Sequence, residues 1–417
     1  MTHRSLLVCL SALLIGSVAT SLPGCNSDGS SGAPGDIGAG ASASSSAGSG
    51  GADDAAGPSE SEGGGASDPG GDAGAPGSGG KRGDAGAPGD SSASVLPVNT
   101  LMYVYSDTAD SDWLVAHDLQ TGEERLVTDL RGDGSNGWEI WGHSLSPDRR
   151  RIAIASLYDP SQEDVDTGLA TRRIWSLAVD GSDFQRLTPV FENTGKHLNN
   201  FQISVQSPVF SANGRDIIYD FGTWWYEGTR LEGGSLPWSV AADGGLPALF
   251  ETMGGCTVID PSVNPATGDV LFVHSVCVRS DDEGLFLYPA SGGTEPIKLV
   301  DRGFGPGTVD PSLEKASWLA DGTGFAFVGN IEVTRGDETD LATSLLAYDM
   351  TTQEVKVLVI PEPETSVRNV AVAPDGSVIV YCLDHDGGYD LHAIDLTLDE
   401  PVDAPITDDG KSCDPGF

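Results

Sequence analysis

Basic side chains are scarce in this chain. Its 417 residues hold 22 Lys and Arg against 62 Asp and Glu, a net charge of −40. Residues 1–95 carry 3 of the basic and 10 of the acidic groups, so 96–417 keeps 19 against 52, a net −33. Such a surface repels phosphate backbones, which excludes nucleic acid as a partner. Long apolar runs are also missing, and the one run of note, Leu6–Val18, is too short to stay as a membrane-spanning helix. Residues 96–417 contain no Gly-x-Ser-x-Gly, no His-x-x-x-His and no Cys-x-x-Cys. The first absence argues against a serine peptidase with an α/β-hydrolase domain. The other two remove common zinc-binding spacings. Aromatic residues are absent from 26–95, a stretch made almost wholly of Gly, Ser, Ala, Pro and Asp. It cannot bury enough apolar surface to offset its ordering entropy and is expected to be a disordered tether.

What is present divides the chain into three parts. Residues 1–25 read as an export signal, with His3 and Arg4 ahead of the apolar run. Leu22-Pro23-Gly24-Cys25 resembles the lipobox of bacterial lipoproteins. That resemblance implies a lipidated Cys25, a membrane held only through the lipid, and a place in the cell envelope, with the outer membrane favoured. Residues 26–95 are the tether, and 96–417 hold all eight Trp and all nine Tyr. Four cysteines remain in this last part, which permits three pairings in an exported protein. Cys256–Cys277 and Cys382–Cys413 keep each pair within or next to one repeat. Buried free thiols are the alternative.

Repeats dominate 96–417. Gly214, Gly268, Gly322 and Gly376 stand 54 residues apart, each in a short polar turn before a β-rich run. Self-similarity at this period with strand-turn-strand content predicts propeller blades. Six second strands follow, among them Leu101–Tyr105, Ile152–Ala155, Val270–Val273 and Val378–Tyr381. Third strands include Trp113–His117 and Leu391–Ile394, and fourth strands include Arg125–Thr128 and Pro405–Thr407. Only five first strands precede the turns. The sixth reappears at the end of the chain, where Asp414-Pro415-Gly416-Phe417 matches Asp260-Pro261-Ser262-Val263. The expectation is an all-β, six-bladed propeller whose last strand completes the first blade, which leaves no open sheet edge. Ser146-Pro147-Asp148 and Ala373-Pro374-Asp375-Gly376 are close to the Pro-x-Trp-Ser-Pro-Asp-Gly phrase of TolB-like propeller repeats, which 96–417 resembles throughout. The resemblance implies the fold and leaves the activity open.

Candidate site residues follow from this layout. Phe221–Tyr226, with Trp224, Trp225 and Tyr226, is expected as an aromatic loop after a second strand, suited to stacking on a sugar or gripping a peptide. Trp138 and Trp141, entering the second blade, read as rings that fill gaps between blades. His143 falls on an innermost strand and His197 in the long connection between the second and third blades. Asp260 and Asp310 lie near the channel, whereas His117 and His392 read as structural. Asp384-x-Asp386-Gly-Gly-x-Asp390 is a hairpin that could form a calcium loop, although no cofactor is required. Two functions follow. One is a monomeric, non-enzymatic binding propeller that holds an envelope protein, peptide or glycan at the channel mouth. The other is a glycan lyase or hydrolase, which needs Asp260, Asp310, His143 or His197 to converge.

Overall fold

Alternation along the second strand of each repeat sets the packing. Leu101 and Tyr103 turn to one side, Met102 and Val104 to the other, and all four are buried. Both faces of a blade are therefore covered, and the second strands read as nearly continuous apolar runs. The structure, a computed structural model, describes residues 95–417 apart from 109–110, 130–139, 157–171, 190–200, 228–229, 251–254, 293–294, 303–309, 312–315, 387 and 399–401.

Six antiparallel sheets form in chain order. Blade one holds β1 (Thr100–Thr108), β2 (Ser111–Asp118) and β3 (Glu124–Asp129). Blade two is β4 (Ile140–Leu145), β5 (Arg151–Ser156), β6 (Arg173–Ala178) and β7 (Gln185–Arg186). Blade three is β8 (Phe201–Phe210), β9 (Asp216–Glu227), β10 (Arg230–Ala241) and β11 (Ala248–Leu249). Blade four is β12 (Thr257–Val263), β13 (Val270–Ser275), β14 (Gly284–Tyr288) and β15 (Ile297–Asp301). In blade five the innermost strand comes in two pieces, β16 (Asp310–Pro311) and β17 (Ser317–Trp318), beside β18 (Gly324–Arg335), β19 (Glu338–Asp349) and β20 (Glu354–Val359). Blade six is β21 (Thr365–Val372), β22 (Val378–His385), β23 (Gly388–Asp395) and β24 (Asp403–Pro405), the last lying two residues ahead of the expected span. Finally β25 (Ser412–Gly416) returns to blade one and pairs with β1. The innermost strands neighbour one another in the closed cycle β25, β4, β8, β12, β17, β21 and back to β25. The chain is a six-bladed propeller sealed by its own end.

The core lies between the blades. One apolar cluster joins Met102 and Val104 of blade one to Ile152 and Ile154 of blade two. The opposite face of β5 is Ala153 and Ala155, and it meets Ile217 and Tyr219 of blade three. Equivalent clusters join blades three and four through Ile218 and Phe272, four and five through Val273 and Phe327, and five and six through Val328 and Tyr381. The sixth joins Leu101 and Tyr103 back to Val380 and Leu391 of blade six. Each fully buried side chain of this size contributes about 1.5–3 kcal/mol.

In blades two to six the turn after the innermost strand needs one residue in the left-handed region. Gly214, Gly322 and Gly376 supply it at φ 69°, 70° and 72°. In blade two Arg149 takes the same place at φ 57°. Its guanidinium compensates for the strain by donating to the carbonyls of Leu96, Pro97 and Thr100. Arg149 thereby ties the start of the propeller to blade two.

Two disulfides are present. Cys256 joins Cys277 inside blade four, and Cys382 of β22 joins Cys413 of β25 across the boundary between blades six and one. The second bond staples the closing strand to blade six across a separation of 31 residues. Constraint of the unfolded chain by such a loop is worth about 4 kcal/mol. Cys382→Ala with Cys413→Ala should lower the melting temperature by roughly 6 °C for a domain of this size. An unchanged melt would show that β25 is held by its ladder and packing alone.

Candidate functional site

Every innermost strand except the interrupted one of blade five carries the same irregularity. The ladder slips between Ile140 and His143 in β4, Gln206 and Val209 in β8, Ile259 and Ser262 in β12, and Arg368 and Val370 in β21. In β25 it slips between Cys413 and Gly416. This is a β-bulge, which re-aims a side chain at the rim of a closed sheet system. Aligned by register, the bulged residues are Gly142, Ser207, Asp260, Asn369 and Asp414. Four of them take positive φ: Gly142 97°, Ser207 51°, Asp260 55° and Asp414 53°.

These residues form a polar belt around one mouth of the channel. Ser207 Oγ donates to Asp260 Oδ1 at 2.7 Å, and Asn369 Nδ2 donates to Asp414 Oδ1 at 3.2 Å. The backbone N–H of Asp260 donates to the buried carboxylate of Asp220 at 2.9 Å. A Cβ on Gly142 would come within 3.1 Å of the Ser207 backbone, so glycine lets blades two and three close up here. All five belt residues line a cavity of about 660 Å³. Its rim also includes Trp141, Tyr389 and Val276, which are 43%, 41% and 70% exposed. The guanidinium of Arg172 lies 3.6 Å above the Trp141 ring. Trp141 is thus a rim residue and not the gap-filler expected from sequence.

The opposite end of the channel differs. There a cavity of about 430 Å³ is bounded by all six blades, with Val209, Trp318, Val370 and Phe417 among its apolar lining. His143 reaches this side. Its side chain is 1% exposed and its Nδ1 lies 3.5 Å from Asp414 Oδ2. A Cβ on Gly416 would approach His143 Nε2 to 2.8 Å, so Gly416 makes the space for the imidazole.

The remaining expected site residues divide as follows. Asp260 and His143 both border the channel, but His143 faces Asp414 while Asp260 is bound to Ser207. Asp310 opens β16 opposite Asn330, the register position that Thr257 holds opposite Ser275 in blade four. Its side chain lies outside the described residues, as do Cys25, Trp138 and His197. Phe221–Tyr226 is strand and not loop. Trp224 pairs with Gln202 and Gly233, Trp225 with Phe201 and Glu232, and Tyr226 with Leu231, so β8, β9 and β10 continue together past the blade. Blade five extends in the same way through β18 and β19. Of the proposed calcium ligands, Asp384 is held by Arg368 at 3.2 Å, while Asp390 accepts from Gly410 N–H at 3.0 Å and faces His385 Nε2 at 2.5 Å. Asp384 and Asp390 are thus drawn to different partners, and no shared ligand set forms among the described residues.

Sequence reasoning missed four members of the belt, Gly142, Ser207, Asn369 and Asp414, and overlooked His385. The match between Asp414-Pro415 and Asp260-Pro261 was the available signal. It was read as a seam and not as a repeated site.

Comparison with known proteins enters at the level of fold. No protein-family model matches the sequence, and no curated protein matches it. Among solved structures, TolB from Acinetobacter baumannii is similar with a TM-score of 0.51 and 14% identity, over 76% of this chain and 66% of that one. The fold is that of the TolB-like propellers. This chain spans just under two thirds of that TolB chain. A chain of a nidogen/laminin complex is similar with a TM-score of 0.50 and 11% identity, over 76% of this chain and 97% of that one. An oligogalacturonate lyase from Vibrio parahaemolyticus gives 0.42 and 13% identity, over 74% and 79% of the two chains. At these identities the likeness covers the fold alone.

The hairpin of blade six beside Tyr389 yields a pH test. Burial acts to raise the Asp390 carboxyl, but the Gly410 N–H and His385 outweigh it and hold the group below the usual carboxylate range. A lowered native value stabilises the fold above the unfolded value of about 4 and loses that contribution as pH falls through the native one. Asp390→Asn should cost about 1–3 kcal/mol at neutral pH. Its melting temperature should also fall less steeply than the parent's below about pH 4. Parallel melting curves from pH 7 to about 2.5 would refute the assignment.

Proposed function

We propose that this protein is a non-enzymatic binding propeller of the bacterial cell envelope, which takes a basic peptide segment of a protein partner at its belted mouth. The observation that carries the reading is the placement of Asp260 and Asp414 in one cavity, each fixed by a neighbour's hydrogen bond, whose lining also exposes Trp141 and Tyr389. Carboxylates at the floor select a cationic side chain. Aromatic faces above them supply apolar contact and favour cations by their quadrupoles. The net −33 of residues 96–417 steers the same class of ligand toward the protein. A propeller of this architecture inside a nidogen/laminin complex is compatible with a role in protein assembly.

The His143 imidazole, 1% exposed, is poorly placed to exchange protons with a bound glycan, so the lyase or hydrolase reading receives no support from it. Cys25 and the tether of 26–95 would hold the propeller to a membrane at a distance. As a flexible coil the tether spans roughly 45 Å.

Binding can be read by fluorescence anisotropy with lysine-rich and glutamate-rich peptides of equal length. The protein should prefer the lysine-rich peptide, and Asp260→Asn with Asp414→Asn should weaken that binding about tenfold or more. Equal binding by the double variant would place recognition elsewhere. The anchor is tested separately. Cys25→Ser should move the exported protein from the membrane to the soluble fraction, whereas an unchanged distribution would remove the lipid from the account.

A further inference from the structure

The cysteine pair of blade four lies beside a buried histidine that the binding reading does not use. His274 ends β13 and is 1% exposed. Its Nε2 meets Tyr288 Oη at 2.8 Å, and its ring stacks on Phe286. Its Nδ1 is buried and has no hydrogen-bond partner. An orphaned imidazole nitrogen in a dry site is costly unless something is meant to meet it. Sulfur stands near this imidazole. The ligand atoms of Cys256, His274 and Cys277 all lie within 4.8 Å of one another. Val276, at φ 47°, turns the chain out of β13 so that Cys277 folds back onto Cys256.

We infer that Cys256, Cys277 and His274 are two states of one site: a disulfide when oxidised, and a two-sulfur, one-nitrogen metal centre when the disulfide is reduced. A dithiol reductant would break the S–S bond, giving two cysteine thiols while the dithiol is oxidised to its own disulfide. A divalent metal then displaces one proton from each thiol and takes the His274 nitrogen lone pair as its third ligand. Two thiolates and an imidazole suit a borderline-soft ion such as Zn²⁺, with a fourth position left open.

The surroundings fit this use. Both cysteines are partly exposed, so a reductant can reach them. The Asp282 carbonyl oxygen lies 3.2 Å from Cys277 Sγ and 3.7 Å from Cys256 Sγ. It can accept from the thiols, and it offers oxygen to the open position. Glu283 accepts the Cys277 N–H at 3.0 Å and is held by Arg302 at 2.6 Å, which keeps the backbone of the site in place after the S–S bond is cut. Because Val276 and Ser275 also line the belted mouth, the state of this centre bears on its rim.

Cobalt is the probe, since thiolate ligation of Co²⁺ produces a near-ultraviolet charge-transfer band that other ligands do not give. The purified protein is titrated with Co²⁺ before and after reduction by a phosphine, which does not compete for metal. The oxidised protein should show no band. The reduced protein should develop one that saturates at one equivalent and is displaced by Zn²⁺. Cys256→Ser with Cys277→Ser, which retains Cys382 and Cys413, should lose the band after the same reduction. His274→Gln should keep a thiolate band but weaken metal binding by no less than the roughly 10–100-fold that loss of a supporting contact costs. No band in the reduced parent protein overturns the inference whatever the variants do. A band of equal strength in the double serine variant overturns it equally, since the metal would then sit on Cys382 and Cys413. Unchanged affinity in His274→Gln removes the histidine from the centre and with it the three-ligand site.

Discussion

Closure of the ring by β25 is the constraint on which the rest depends. A propeller buries its core between blades and not within them, so every blade needs two neighbours. Blade one finds its second neighbour only because Ser412–Gly416 returns from the far end of the chain and pairs with β1. Without that strand, Leu101 and Tyr103 would lose the innermost part of the packing that joins them to Val380 and Leu391. The disulfide from Cys382 to Cys413 crosses this one boundary where chain connectivity gives no help. At the other end, Arg149 accepts a left-handed backbone in order to hold Leu96, Pro97 and Thr100. Both termini of the propeller are thus secured by special chemistry, while the interior boundaries rely on repetition.

The same closure strand delivers Asp414 to the belt. Its carboxylate receives Asn369 from blade six and faces His143 of blade two. The site and the seam are therefore one structure. A change that loosens β25 disturbs stability and the mouth together, whereas a change at Asp260 touches the mouth alone.

The fold was legible because it is written in signals that repeat. Turn residues such as Gly214, Gly322 and Gly376 must reach positive φ, and apolar runs such as Val270–Val273 must cover two faces. These demands are local and recur from blade to blade. The belt was much less legible because what recurs there is a backbone irregularity. Gly142, Ser207, Asp260, Asn369 and Asp414 have no side-chain type in common, and only the ladder register shows that they are equivalent. The extension of blade three was misread for a different reason. Gly233 and Gly234 look like a flexible return, yet they are strand residues paired with Trp224 and Thr223. At Gly234 a Cβ would come within 3.1 Å of Thr257 Oγ1, so glycine serves close approach between β10 and β12. The aromatic and β-branched content of Phe221–Tyr226 was the better guide, and it favours strand.

The two ends of the channel explain how a nearly symmetric fold acquires a direction. Both ends mix apolar residues with hydroxyls, Ser144, Ser262 and Ser317 at one and Ser207, Ser235 and Thr257 at the other, but among the described residues only the second places carboxylates, Asp260 and Asp414, in its wall. Acidity spread over a surface serves solubility and needs no fixed geometry. Asp260 and Asp414 are different. Each sits on a bulge, each is held by a hydrogen bond from the next blade, and both face a cleft walled by protein. Low-dielectric walls focus the field of such groups, and their fixed positions spare a ligand the cost of ordering them. On the proposed reading, a diffuse net charge brings a cationic segment near and the belt sets where on the ring it comes to rest. Of the five equivalent backbone positions, Gly142 is fixed by the close approach of blades two and three, so on the proposed reading selectivity rests with the side chains at the other four.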